Sequence, residues 1–186
     1  AVDFKFTRVF ARFRPKQNAE RDGPRLVVGD AGSNLQTIAT ERYLRYGIDF
    51  VSGYSVGLFV DQRENRSFVR RSKPKKFLNC FAYTCAFSVA AGAAGAETLS
   101  VDLSKTSLAR GRENFALNAQ TTDGHRFVSE DVIAFLPKLA RKGEKFDMII
   151  LDPPTFSRTH RGKAFQVERD YEILLLSTLE IAERSA

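Results

Sequence analysis

The sequence predicts an α/β fold, and three observations carry the prediction. From Phe77 onward, short apolar runs alternate with amphipathic or Ala-rich stretches in the rhythm strand, helix, strand, helix. The first run, 76–81, enters a turn of aromatic and small residues, "FAYTCAF", and then an Ala-rich helix. The second run ends on an acid, Asp102, roughly twenty residues after that turn. Such alternation implies a parallel sheet with helices on both faces, and the strand, turn, helix, strand, acid order makes it Rossmann-like.

Each element follows from local chemistry. The opening "AVDFKFTRVFARFRPK" is expected to form a basic helix: Val2, Phe6, Val9, Phe10 and Phe13 share one helical face, and Lys5, Arg8 and Arg12 another. Pro15 ends it. Residues 1–24 are thus a basic amphipathic segment. Residues 25–66 are a β-rich hairpin appendage: "RLVVGDAGSN" reads as a strand and a Gly-rich turn, and the following aromatic and β-branched stretch is broken by Gly47, Gly53 and Gly57. Residues 67–186 form the Rossmann-like domain. Its strands are expected at 76–81, 98–102, 125–129 and 146–151, its helices near 86–94, 105–118 and 132–142, and a last helix at 164–182. Four strands alone would leave the strand before Asp152 as a bare edge, so this domain is expected to be incomplete at its C-terminus.

Composition narrows the classes. With 43% hydrophobic residues in 186, the chain can bury a core and is not a disordered polyelectrolyte. It contains no apolar run of bilayer-spanning length, and a cytoplasmic protein without membrane attachment is expected. Cys80 and Cys85, the two cysteines, are spaced for neither a zinc framework nor a secreted disulfide scaffold, and no metal is expected. The formal charge of +7 favours a polyanionic partner. The basic residues gather in 5–14, in "RRSKPKK" (70–76) and in "RTHRGK" (158–163).

Ligands of open α/β sheets bind beyond the carboxyl ends of the strands. The turn there lacks the G-x-G-x-x-G that lets backbone approach a pyrophosphate, and carries Tyr83, Thr84 and Cys85 instead. That argues for a nucleoside without phosphates. Asp102 can accept hydrogen bonds from ribose hydroxyls, and Asp131, in "SEDV", can meet an adenine amine; either could also be a helix N-cap. After "KFDMII", the segment "LDPPTFSR" delivers Asp152 with Pro153 and Pro154, a rigid lip without N–H donors, and Phe156, which could stack on a base.

The segments "GLFVDQRENR", "FLNCFAYTCAFSVAA", "SVDLSKTSL", "ENFALNA" and "DPPTFSR" together resemble class I S-adenosylmethionine-dependent methyltransferases of large-subunit ribosomal RNA. "DPPTFS" followed by "AFQVERDY" is most similar to the guanine-N7 branch; the alternatives are a cytosine-C5 enzyme or a non-catalytic RNA-binding fragment with an impaired cofactor site. The resemblance implies that S-adenosyl-L-methionine is held by Asn79, Phe81, Ala82, Tyr83, Thr84, Cys85, Ala86, Phe87, Asp102, Leu103, Asp131, Val132 and Asp152, with Arg63 of the D-Q-R-x-N-R element near its methionine end. It implies that Asp152, Pro153, Pro154 and Phe156 bring cofactor and target base together. Ribosomal RNA would be met by Arg66, Lys75, Arg158, Arg161 and Lys163. Oligomeric state is left open. One departure stands out: the family usually has glycine where this chain has Cys85. If that backbone needs a positive φ, a non-glycine residue costs on the order of 1–3 kcal/mol, and its side chain is expected to crowd the cofactor.

Overall fold

The computed structural model describes residues 8–11, 25–29, 35–50, 55–158 and 164–183. Two hairpins come first. β1 (Val9–Ala11) pairs antiparallel with β2 (Arg25–Val28), and β3 (Gln36–Glu41) pairs with β4 (Leu44–Asp49). The helix expected at the start is therefore corrected where it is described: Val9, Phe10 and Ala11 are strand. β-Branched and aromatic residues fit a pleated ladder well, and Arg25–Val28 provides the partner. The rest of that stretch, with Phe6 and Phe13, lies outside the described residues. Phe10 stacks on Phe50 at 4.8 Å, bringing the first hairpin against the end of the second.

A short 3₁₀ turn, Val60–Gln62, leads into α1 (Arg63–Ser72), so the boundary expected after residue 66 falls inside a helix. Glu64 in the first turn and Arg70 and Arg71 in the last complement the helix dipole. Lys73 in the left-handed region and Pro74 after it stop the helix.

The sheet follows: β5 (Lys76–Cys80), α2 (Ala86–Gly92), β6 (Glu97–Val101), α3 (Lys105–Leu117), β7 (His125–Val128), α4 (Val132–Arg141) and β8 (Met148–Leu151). The four strands are parallel in the order β7-β6-β5-β8. β9 (Phe156–Arg158) and β10 (Ala164–Gln166) then form a small hairpin, and α5 runs over Val167–Leu179. The last helix is thus shorter than expected, because 164–166 pairs with β9. Beside β8, Phe146 bridges in parallel to Ala182.

Strand alternation divides the core. Leu78, Cys80, Leu99 and Val101 face α4 and α5, packing on Leu136, Leu139 and Leu174. Phe77 turns to the other face, against Val69 of α1 and Phe87 and Ala91 of α2. Asn79 is also buried on that side and donates to Ser88 Oγ at 2.9 Å, with Ser88 in turn 2.8 Å from Ser100.

The second hairpin is anchored to this domain by α3. Leu44, Tyr46 and Ile48 are buried, while Arg45 between them is exposed. Asn114 accepts from the Gly47 N–H at 2.8 Å and donates to the Thr84 carbonyl at 2.9 Å. One turn on, Asn118 exchanges hydrogen bonds with the backbone N–H and carbonyl of Arg45 at 2.8 and 2.7 Å. Two amides, one on α3 and one capping its C-terminus, therefore continue the hairpin's own hydrogen bonding.

Candidate active site

At the carboxyl ends of the four parallel strands lies a crevice of about 750 Å³, within the range of small-molecule sites. The turn after β5 forms its floor. Phe81, Tyr83 and Cys85 all have positive φ, of 60°, 48° and 59°. Strain of this kind in non-glycine residues concentrates where a backbone must take a special course. The Tyr83 N–H donates to Asp102 Oδ2 at 2.8 Å, and the Ser104 N–H donates to Asp102 Oδ1 at 2.8 Å. A backbone donor that a dinucleotide site would aim at phosphate is here given to the protein's own carboxylate.

Most of the expected residues meet in this crevice. Phe81, Ala82, Tyr83, Thr84, Ala86, Phe87, Asp102, Leu103, Asp131, Val132, Asp152, Pro153 and Pro154 all line it. Asp131 is also the N-cap of α4, its Oδ1 accepting from Ile133 and Ala134 N–H at 2.9 and 3.3 Å.

Several do not, for identifiable reasons. Asn79 faces Ser88 beneath α2, inside the core. Arg63, on the exposed side of α1, is not part of the crevice wall. Arg66 does reach the crevice wall, but at 2% exposed it has no surface for the RNA contact expected of it. Its guanidinium makes a paired contact with Glu41, at 2.9 and 2.6 Å, and donates to the Phe59 carbonyl at 2.8 Å. Lys75 precedes β5, at the end of the sheet opposite the crevice. Phe156 and Arg158 fall on β9, but their side chains, like Arg161 and Lys163, lie outside what is described.

Cys85 is the most instructive correction. Its φ is positive, as a glycine position would be, yet its side chain does not crowd the crevice. It is fully buried and its Sγ faces α3, where a Cβ added to Gly111 would lie 2.5 Å from it. The missing glycine of the turn is thus matched by a glycine on the neighbouring helix. Burial pushes the Cys80 and Cys85 thiols up to about 12.

A further wall of the crevice is the segment Ser55–Gln62, of which residues 57–62 fall in the family-like stretch "GLFVDQRENR". It is tied down by Tyr83 Oη donating to the Ser55 carbonyl at 2.8 Å, Thr84 Oγ1 to the Gly57 carbonyl at 2.6 Å, and Arg110 to the Val56 carbonyl at 3.0 Å. Gly57 must be glycine: its φ is 126° and a Cβ would approach the Gly47 carbonyl to 2.6 Å. Arg110, which carried no sequence signal of its own, and Phe165, from the "AFQVERDY" stretch but given no site role there, also line the crevice.

The electrostatics are one-sided. Asp61, Asp102, Asp131 and Asp152 all line the crevice. Its two arginines are engaged, Arg66 by Glu41 and Arg110 by the backbone carbonyls of Val56 and Gly47. Burial pushes the Asp152 carboxyl above its ordinary range, and the Asp61 charge pushes it the same way. A carboxyl raised on folding contributes most when protonated, and that contribution is lost as pH rises through its folded pKa. Asp152→Asn should therefore raise the urea midpoint at neutral pH, with the gain shrinking toward about pH 3.5. Melts at both pH values check this; a gain of equal size at both would exclude charge as its source.

This set of acceptors fits a cationic nucleoside better than any phosphorylated one. Carboxylates suit hydroxyls, an amine and a sulfonium, and they repel a pyrophosphate. The chain is 38% identical over 141 residues to "Ribosomal RNA large subunit methyltransferase I" of Tolumonas auensis, covering 75% of this chain and 35% of the relative. It is 36% identical over 152 residues to "Ribosomal RNA large subunit methyltransferase K" of Neisseria meningitidis serogroup B, covering 79% and 42%. The chain thus spans less than half the length of these curated relatives. Among solved structures, SMU.776, crystallised in complex with SAH, superposes with a TM-score of 0.81 at 34% identity, over 88% of this chain and 43% of that one. A family model described as S-adenosylmethionine-dependent methyltransferase matches residues 10–182, nearly the whole length, and the chain belongs to that family.

Proposed function

We propose that the chain takes part in transferring a methyl group from S-adenosyl-L-methionine to a base of large-subunit ribosomal RNA, with guanine N7 as the acceptor. The observation that carries this reading is the acid-walled crevice whose turn donates to Asp102 instead of to a phosphate. When bound, the cofactor supplies an electrophilic methyl group on a positively charged sulfur. Asp102 would accept from the ribose hydroxyls, Asp131 would meet the adenine amine, and Phe81, Leu103 and Val132, which line the crevice, would give the flat ring apolar walls. Asp152, Pro153 and Pro154 hold the target base at the rim.

Guanine N7 carries its own lone pair, so the protein's task is positioning and exclusion of water, with no general base required. The cytosine-C5 reading needs a thiolate to add to the ring. Neither cysteine of this chain suits that role, since both are buried with thiols pushed up to about 12. The relatives' names support ribosomal RNA as the substrate. A test is transfer of tritiated methyl to unmodified large-subunit RNA, followed by nucleoside analysis. The reading expects 7-methylguanosine; 5-methylcytidine would move the reaction to the other branch.

Asp102→Asn keeps one acceptor oxygen for the turn but loses the charge. It should weaken binding of S-adenosylhomocysteine by about 1.5–3 kcal/mol, measured by calorimetry. Unchanged affinity would remove Asp102 from the ligand's contacts.

A further inference from the structure

The two-residue turn joining β3 to β4 is made of residues ill suited to its shape. Arg42 and Tyr43 both have positive φ, 47° and 70°, the conformation for which hairpins favour Asn-Gly or Gly-Gly. A side chain with a Cβ is strained there. Packing does not explain the choice: Tyr43 is 93% exposed, more than any other large hydrophobic residue described. Strained positions that persist without a packing reason point to a function at that place.

The surroundings of the ring are cationic. Arg42, Arg45 and Arg71 are exposed, and Arg70 of α1 donates to the Arg42 carbonyl at 2.9 Å. Glu64 pairs with Arg42 at 2.7 Å, while Glu41 is already engaged by the buried Arg66. Arg42 thus flanks the exposed ring, Arg45 follows two residues on along β4, and Arg70 reaches the turn from α1. Arg71 stands next to Arg70 with its guanidinium donating to Ser67 Oγ at 2.6 Å, and Glu64 is the carboxylate paired at the turn. This combination suits an unpaired nucleic acid strand, whose bases stack on aromatic rings and whose phosphates meet guanidinium groups.

We propose that the β3–β4 turn is an RNA-docking surface, with Tyr43 stacking on an unpaired base and Arg45, Arg70 and Arg71 meeting the neighbouring phosphates. The surface is separate from the crevice, and its assignment rests on RNA being the substrate. The Glu41–Arg66 pair joins it to the Phe59 carbonyl on the crevice wall, so the docked strand is held at a fixed place relative to the target base.

The test uses a fluorescein-labelled single-stranded RNA, read by anisotropy, with binding of S-adenosylhomocysteine measured in parallel. The double variant Arg42→Asn/Tyr43→Gly restores favourable turn residues. It should melt about 2–4 °C higher, bind RNA about tenfold more weakly, and bind S-adenosylhomocysteine as the parent does. Tyr43→Phe, which keeps the stacking face, should stay within about twofold of the parent for RNA. Arg45→Gln should flatten the salt dependence of RNA binding by about 0.7 in log–log slope. RNA affinity unchanged in the double variant overturns the proposal, as does displacement of RNA by polyglutamate as effectively as by unlabelled RNA. A parent that binds S-adenosylhomocysteine but no RNA overturns the docking surface and leaves the crevice assignment standing. A parent that binds RNA but not S-adenosylhomocysteine overturns the crevice assignment instead.

Discussion

Arg66→Ala is expected to destabilise the protein by about 3–5 kcal/mol, because it leaves the carboxylate of Glu41 partly buried without its partner. The Phe59 carbonyl loses a donor in the same step, and the cation lying 5.9 Å from the Tyr46 ring centroid is removed. Arg66→Lys should recover only part of the loss, since a single ammonium cannot reproduce the paired contact with both Glu41 oxygens. Urea denaturation of the two variants measures the effect. A stability unchanged to within about 0.5 kcal/mol, together with a selective loss of RNA affinity, would return Arg66 to the nucleic-acid surface.

The second large effect comes from the contact between Cys85 and Gly111. Gly111→Ala places a methyl 2.5 Å from Sγ and 3.0 Å from Cβ of Cys85, with no flexible side chain able to yield. Overpacking of this kind costs about 1–3 kcal/mol, against roughly 1 kcal/mol gained from alanine in a helix. In the Cys85→Gly background the obstacle is gone, and the same Gly111→Ala change should stabilise by about 1 kcal/mol. The two substitutions thus couple, with the sign of one set by the other, and a double-mutant cycle of denaturant melts reads the coupling directly. Additive effects would show that the turn and α3 relax independently.

The parallel sheet was legible because its signals are local and repeated. Each strand is a short apolar run, each helix has its own periodicity, and the observed bounds of β5, β7 and β8 fall within the expected segments, with β6 starting one residue earlier than expected. The crevice floor was legible for a related reason: in such a sheet, the residues that follow the strands must meet at one end. Side-chain direction was not. The sequence marks Cys85 as a residue in a glycine's place, but only the position of Gly111 shows that its sulfur has somewhere else to go. Arg66 fails as a surface prediction similarly, since a charged residue on an amphipathic helix is buried only if a carboxylate such as Glu41 arrives from a distant strand. At the start of the chain the two periodicities overlap, and pairing with Arg25–Val28 decides for strand at Val9–Ala11.

The amides of Asn114 and Asn118 reach back 67 and 73 residues to the second hairpin. On a ribosome adding about 5–20 residues per second, that hairpin emerges on the order of several seconds before the helix that secures it. An isolated two-stranded hairpin is marginal in water, and closing so long a loop delays the contacts that would stabilise it. The apolar face formed by Leu44, Tyr46 and Ile48 thus stays uncovered through much of synthesis, and substitutions in α3 should affect the yield of folded chain more than substitutions in the hairpin's own ladder.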